Sequence, residues 1–155
     1  MRVGVTTRLR PFVGGATIIR AQANRVPMPL GPCVVLTELL QVDLETPVIT
    51  PDPTNGRSLV VTPTRMDVQI DFYGPAAGDQ CKAVKGIYRT EYATLAFADG
   101  VKPLYCDDGR QTPLITGEQQ WESRWTLTAS LQYNARIALP QQFATVLAPN
   151  PLNAI

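Results

Sequence analysis

The chain has 155 residues, a formal net charge of +1, 45% hydrophobic and 17% charged residues, and no histidine. That length predicts one domain, 1–155, large enough to bury a core, and the apolar share excludes a disordered polyampholyte. The absence of histidine excludes His-based nucleophile pairs and His-ligated zinc, and the near-zero net charge gives no support to a bulk polyanion binder.

Residues 1–15 form a short basic N-terminal segment. A helix over 6–13 is limited by Pro11 and the Gly14-Gly15 pair. Thr17, Ile18 and Ile19 predict a short strand over 16–22. Residues 24–32 come next, where Pro27, Pro29 and Pro32 hold an extended path with few free N–H groups. Residues 33–44 are rich in Val, Leu and Thr and predict a long strand. Residues 46–57 hold Pro47, Pro51, Pro53, Asn55 and Gly56 and read as a long proline-rich loop. Residues 58–62 start the returning strand, with Pro63 at a bulge or edge.

A clean period of two comes next. Met66, Val68, Ile70 and Phe72 share one face; Arg65, Asp67, Gln69, Asp71 and Tyr73 share the other. Gly74-Pro75 stops the strand. Apolar residues at Cys81, Val84, Tyr88, Tyr92 and Leu95 then recur in steps of three and four, which predicts one helix over 76–98. Asp79 lies near its positive end, and Gly100 is its C-terminal stop. Residues 101–106 predict a strand and 107–117 a turn-rich segment. Trp121, Ser123, Trp125, Leu127, Ala129, Leu131 and Tyr133 share one face of a last long strand, whose tail ends at Pro140. Residues 148–155 read as a loose C-terminus. These elements predict an α+β fold: a mostly antiparallel sheet with one long amphipathic helix packed on one face. The opposite, polar face and the sheet edges are expected to stay free, and free edges must be blunted or paired.

The charge is unevenly spread. Residues 1–30 hold Arg2, Arg8, Arg10, Arg20 and Arg25 and no acid; residues 31–55 hold Glu38, Asp43, Glu45 and Asp52 and no base. Two readings stand: a solvated surface with local ion pairs, or complementarity between one copy's basic segment and the next copy's acidic one.

No reading points to an enzyme. Asp67 with Asp71, and Asp107 with Asp108, are carboxylate pairs able to bind Mg²⁺, but strand carboxylates are expected to face solvent. The glycine-bearing turn at 74–78 lacks the Gly-Lys-Ser/Thr of a phosphate loop. Trp121 and Trp125 share a strand face with Leu127 and Leu131 and read as core rather than as base-stacking platforms. Cys33, Cys81 and Cys106 are too few for a Cys-only zinc site. They are expected to be buried, reduced thiols. No secretory signal is read after 1–5, and no apolar run approaches a membrane span. No cofactor, metal or catalytic residue is expected.

Three blocks carry a resemblance. They are Gln22-Ala-Asn-Arg-Val-Pro-Met-Pro-Leu-Gly-Pro32, the Tyr73-Gly74-Pro75 junction, and Arg110-Gln-Thr-Pro-Leu-Ile-Thr-Gly-Glu-Gln-Gln120 followed by Trp125 and Leu131-Gln-Tyr-Asn134. In this order, across about 17–147, they resemble the neck and tail terminator family of long-tailed phages. Similar proteins open with a longer apolar helix, whereas 1–15 here is short, basic and broken by Pro11. The resemblance implies a non-enzymatic virion protein, assembled in the host cytoplasm and located in the tail or neck. It implies a homo-oligomer, a hexameric ring at the head-proximal end of the tail. That ring ends tube growth and joins the tail to the head connector, with tail tube and head-connector proteins as partners. Genomic DNA passes through without sequence-specific binding, and no membrane is involved. Another neck ring or tube-like virion subunit, or an unrelated soluble enzyme or binding module, are the alternatives; a gene position between head-completion and tail genes would separate the first two from the third. The constrained segments 24–32 and 110–120 nominate Asn24, Arg25, Pro27, Pro29, Arg110, Gln111, Glu118 and Gln119 as inter-subunit or neck contacts.

Overall fold

A computed structural model describes residues 13–21, 31–97, 100–112, 114–115 and 121–144. The strands are β1 (Thr17–Arg20), β2 (Cys33–Asp43), β3 (Val48–Asp52), β4 (Arg57–Tyr73), β5 (Val101–Cys106), β6 (Arg110–Gln111), β7 (Leu114–Ile115), β8 (Trp121–Glu122) and β9 (Arg124–Pro140). The helices are α1 (Ala77–Tyr88) and α2 (Glu91–Ala96). Among the described residues, β1, β2, β4, β9 and β5 form the path of a seven-stranded sheet, with β3 on β4 and β6 on β9; β7 and β8 pair separately. Only β1 and β2 run parallel within the seven-stranded sheet.

The fold is therefore mostly β, and the expected single long helix on a sheet is wrong. The helix splits at Thr90. Its backbone is extended (φ −101°, ψ 159°), and its Oγ1 donates to the Ile87 carbonyl at 2.7 Å. Thr90 thus stands at the N-terminus of α2 without capping its amides, its hydroxyl turned back on the last turn of α1. The break re-aims the next six residues. Ala93 is buried and Phe97 packs on the core, edge to face with Tyr88. Tyr92 and Leu95, which continue the helical period in sequence, are exposed.

Two other expectations change. Residues 46–57 are not simply a loop, since β3 pairs with β4 from Val48↔Val61 to Asp52↔Arg57 and returns through a short 3₁₀ turn, Pro53–Asn55. The last strand begins at Arg124, and Trp121 belongs to β8, opposite Ile115. The two alternations survive as one continuous pairing of β4 with β9, Arg57↔Pro140 through Tyr73↔Arg124 without a shift. Pro63 sits inside this central strand. Its carbonyl accepts from Leu44 N–H at 2.8 Å, so its nitrogen also faces the β2–β3 side. It lies between the end of β2 pairing at Thr64 and the start of β3 pairing at Val61. The missing N–H falls where no ladder bond is needed.

The core lies between α1 and the near half of the sheet. Met66, Val68, Ile70, Phe72, Leu127, Ala129 and Leu131 meet Ala77, Cys81, Val84 and Tyr88 there. The Tyr88 hydroxyl donates to the Ser130 carbonyl at 2.7 Å beside the irregularity in β5 at Pro103/Tyr105. All three cysteines are free and buried. Burial pushes their thiols up, that of Cys81 to about 11. The thiolate is the reactive form, so maleimide at pH 8 is expected to label the folded chain far more slowly than the urea-unfolded chain. Rapid labelling of the folded chain would put a cysteine at the surface.

Candidate assembly surfaces

The sheet outgrows its cover. Seventeen residues at about 3.3 Å per residue make β4 and β9 roughly 56 Å long, whereas the twelve residues of α1 span roughly 18 Å. Beyond the helices, β3, β4 and β9 continue as a three-stranded arm. β2 is buried over its first four residues and exposed from Glu38 to Asp43. β9 is exposed from Arg136 to Pro140.

The helix-side face of this arm is apolar, and its far face mixes apolar residues with Arg136, opposite Val61, and the Asp52–Arg57 pair. Register puts Ile49, Val60 and Ile137 in one cross-strand row on the helix side, with Leu139 one row further out. Val48 and Val61 lie opposite each other on the far face, joined by Leu59, Leu40 and Val42. Ile49 and Ile137 are 63% and 57% exposed, and Val48 57%. Scattered exposed apolar residues are ordinary, but contiguous rows of them mark an interaction surface.

The far face of the near half is not the free polar surface expected. Cys33, Val35 and Tyr73 are buried there with Ile19 and Ala21 against them. Asp71, expected to face solvent, is 3% exposed. Its carboxylate accepts from Arg124 Nη2 at 3.0 Å and Nε at 3.2 Å, from Gln69 Nε2 at 2.8 Å and from Thr126 Oγ1. The Arg124 guanidinium also lies 5.7 Å from the Tyr73 ring centroid. Asp67 accepts from Ser130 Oγ and pairs with Arg65. These carboxylates are spent on neighbouring strands.

The charge split is partly closed inside the chain. Arg20 pairs with Glu38, which joins the basic stretch to the acidic one within a single copy, and Arg57 pairs with Asp52. The Asn55 amide and the Arg57 guanidinium hold the Asp52 carboxyl below its ordinary range. The local ion-pair reading thus accounts for two of the four acids, leaving Asp43 and Glu45 without an ion pair among the described residues.

Of the nominated contacts, Arg110 and Gln111 are described. They form β6 against Thr126 and Trp125, at the sheet edge, and both are exposed. Their registers place Arg110 on the face of Asp71 and Gln111 on the face of the helices. Asn24, Arg25, Pro27, Pro29, Glu118 and Gln119 lie outside the described residues. Next to β6, Asp108 pairs with Lys85, whose ammonium holds that carboxyl below its ordinary range. Asp79, in the first turn of α1, helps line a shallow cleft there with Lys82, Gly109 and Trp125. Among the described residues, no cluster of histidine, cysteine or carboxylate suits a metal ion, and no helix is long and apolar enough to cross a membrane.

The described carboxylates of β4 are engaged by neighbouring side chains, the thiols are buried, and the arm leaves apolar residues exposed. The chain matches the family model of the phage neck terminator protein over residues 4–151, and it belongs to that family. No curated protein matches it closely. It is thus a structural protein of the phage neck, whose setting is the virion, with tail and head components as its neighbours. The apolar arm was missed in the sequence. The period of two was read only over 65–73 in the first strand and the helix as one element over 76–98, so the shortfall in cover shows only once the helix splits at Thr90.

Proposed function

We propose that this chain forms a closed ring, a hexamer, at the head-proximal end of the tail. The ring ends polymerisation of the tail tube and joins the tail to the head connector, with DNA passing through its centre. The observation that carries this reading is the arm, which leaves Ile49, Ile137 and Leu139 exposed on its helix side and Val48 on its far face in a chain of the neck terminator family. A head-to-tail interface repeated about an axis closes a ring. Negative-stain microscopy with mass photometry of the purified protein tests it. Rings of six are the expected result, and a strictly monomeric protein at micromolar concentration sinks the reading.

The nominated residues Asn24, Arg25, Pro27, Pro29, Arg110, Gln111, Glu118 and Gln119 are proposed as inter-subunit or neck contacts. Arg110 offers the most direct check because it is exposed and lies on a two-residue edge strand. Arg110→Glu is expected to keep the circular dichroism of the parent and to reduce ring formation or virion assembly in complementation. Reversal turns an attraction into a repulsion, which acts mainly on association rate and partner choice. Normal assembly would remove Arg110 from the interface, and a lost fold would assign it to internal bracing.

A further inference from the structure

The two edges of the arm differ in a way that register makes explicit. Gln141 N–H donates to the Gly56 carbonyl, and Gly74 N–H to the Ser123 carbonyl. These bonds bracket the β4–β9 pairing and fix which pairs bond, because bonded and non-bonded pairs alternate in an antiparallel ladder. Ser58↔Leu139, Val60↔Ile137 and Thr62↔Ala135 are the bonded pairs. Asn134, Arg136 and Ala138 therefore aim their N–H and C=O groups away from β4. Nearer the core the same outward side of β9 is occupied, as Asp107 N–H bonding to the Thr128 carbonyl and Thr112 N–H to the Arg124 carbonyl show. β5 pairing stops at Tyr133. Among the described residues nothing pairs with the outward side of β9 from Asn134 to Ala138, and Pro140 ends the edge.

The opposite edge is made by β2 and β3. β1 covers it from Cys33 to Leu36. Beyond the irregularity at Glu38/Leu40, Leu44 N–H points inward to Pro63, so Gln41 and Asp43 point outward. In β3 the outward residues are Ile49 and Pro51, and proline has no N–H to give. The irregularity and Pro51 are devices that blunt an edge, and they confine pairing to a short window. The edges also differ in charge. Cys33–Asp52 holds four acids and no base, while Arg124–Pro140 holds two arginines and no acid. Asp43, Glu45 and Arg136 have no ion pair among the described residues.

We propose that the outward edge of β9, residues 134–138, takes the acidic β2–β3 edge of a second copy of this chain, so that the arms of neighbouring subunits join into one sheet. The inference rests on the ring reading and names the contact that closes it. The occupant is a second copy because the accepting edge and its charge-complementary counterpart lie on opposite sides of the same arm. That is the arrangement of a head-to-tail contact. Joining also sets the Ile49 row of one copy beside the Ile137 row of the next, which makes the apolar row continuous across the seam.

Hydrogen exchange of the assembled wild-type protein tests this, with Ala138→Pro and Arg136→Glu as variants. In the ring, the amides of Asn134, Arg136 and Ala138 are expected to exchange at least about tenfold more slowly than in diluted monomer, as a paired strand requires. Ala138→Pro removes only an outward donor, which an edge strand tolerates. It is expected to keep the circular dichroism of the parent and raise the concentration needed for assembly by roughly tenfold. Arg136→Glu gives the same result by charge and cannot fail through the proline. A wild-type ring whose three amides stay unprotected overturns the edge contact and leaves the ring reading standing. So do variants that both assemble normally, and so does protection that appears only when tail tube is added. A wild-type chain that never assembles overturns both.

Discussion

Asp71→Ala is expected to cost about 3 kcal/mol of folding stability, because it strands a cation and two hydrogen-bonding groups beside a buried site. The carboxylate is 3% exposed and serves Arg124, Gln69 and Thr126 at once. Arg124 retains about a quarter of its side-chain exposure, so water partly compensates it, and the cost falls at the lower end for a broken buried pair. For a chain of this size, that is a fall in melting temperature of roughly 6–12 °C. The double variant Asp71→Leu with Arg124→Met removes charge and countercharge together and is expected to recover most of the loss, since apolar replacement of a whole buried pair is often neutral. Thermal melts of the single and double variants decide it. An unchanged melting temperature for Asp71→Ala would show that the network adds specificity but no stability.

How far the fold could be read depended on whether one face of an element was covered. Met66, Val68, Ile70 and Phe72 alternate cleanly because the apolar core under α1 lies on their side, while Asp67, Gln69 and Asp71 opposite are satisfied by polar partners. The helix boundary was illegible for the opposite reason. Tyr92 and Leu95 keep the three- and four-residue spacing, so periodicity runs straight across Thr90, and the break lies in a threonine's local bond to Ile87 rather than in the pattern. β3 was hidden by Pro47, Pro51 and Pro53, which read as loop; Pro51 is tolerated because its nitrogen faces away from β4, where no bond is lost. The polar residues of β4 gave no warning that Asp71 is buried, because burial of a carboxylate depends on partners from β9, more than fifty residues away. The candidate surfaces were legible only in part. Arg110 and Gln111 lie exposed at an edge, which leaves their contact role a proposal, and the arm was invisible residue by residue, since Ile49, Ile137 and Leu139 each look like core. They stand exposed because α1 ends at Tyr88 while β4 and β9 run on, and a helix read over 76–98 concealed that.

Phe72→Ala is expected to cost about 3–5 kcal/mol, the usual range for a deleted buried aromatic ring. Phe72 is 0% exposed, sits mid-sheet under α1, and faces Trp125 across the β4–β9 ladder. Trp125→Ala removes a larger ring yet is expected to cost less, about 2–3 kcal/mol, because its outer edge already lines the open cleft beside Lys82 and Gly109. Its inner edge is closely fitted. A Cβ on Gly78 would stand 3.2 Å from the indole, so α1 seats a glycine directly on the ring. On the cleft's other wall, a Cβ on Gly109 would overlap Cys81 Sγ. The helix is thus held to the sheet by two side-chain-free contacts with a tryptophan between them. Deleting Trp125 loosens α1 from the rim, whereas deleting Phe72 opens a void that water does not readily fill. Urea melts distinguish the two. Phe72→Ala should shift the midpoint further at an unchanged slope. The reverse order would mean that Trp125, rather than Phe72, is the pin that holds helix to sheet.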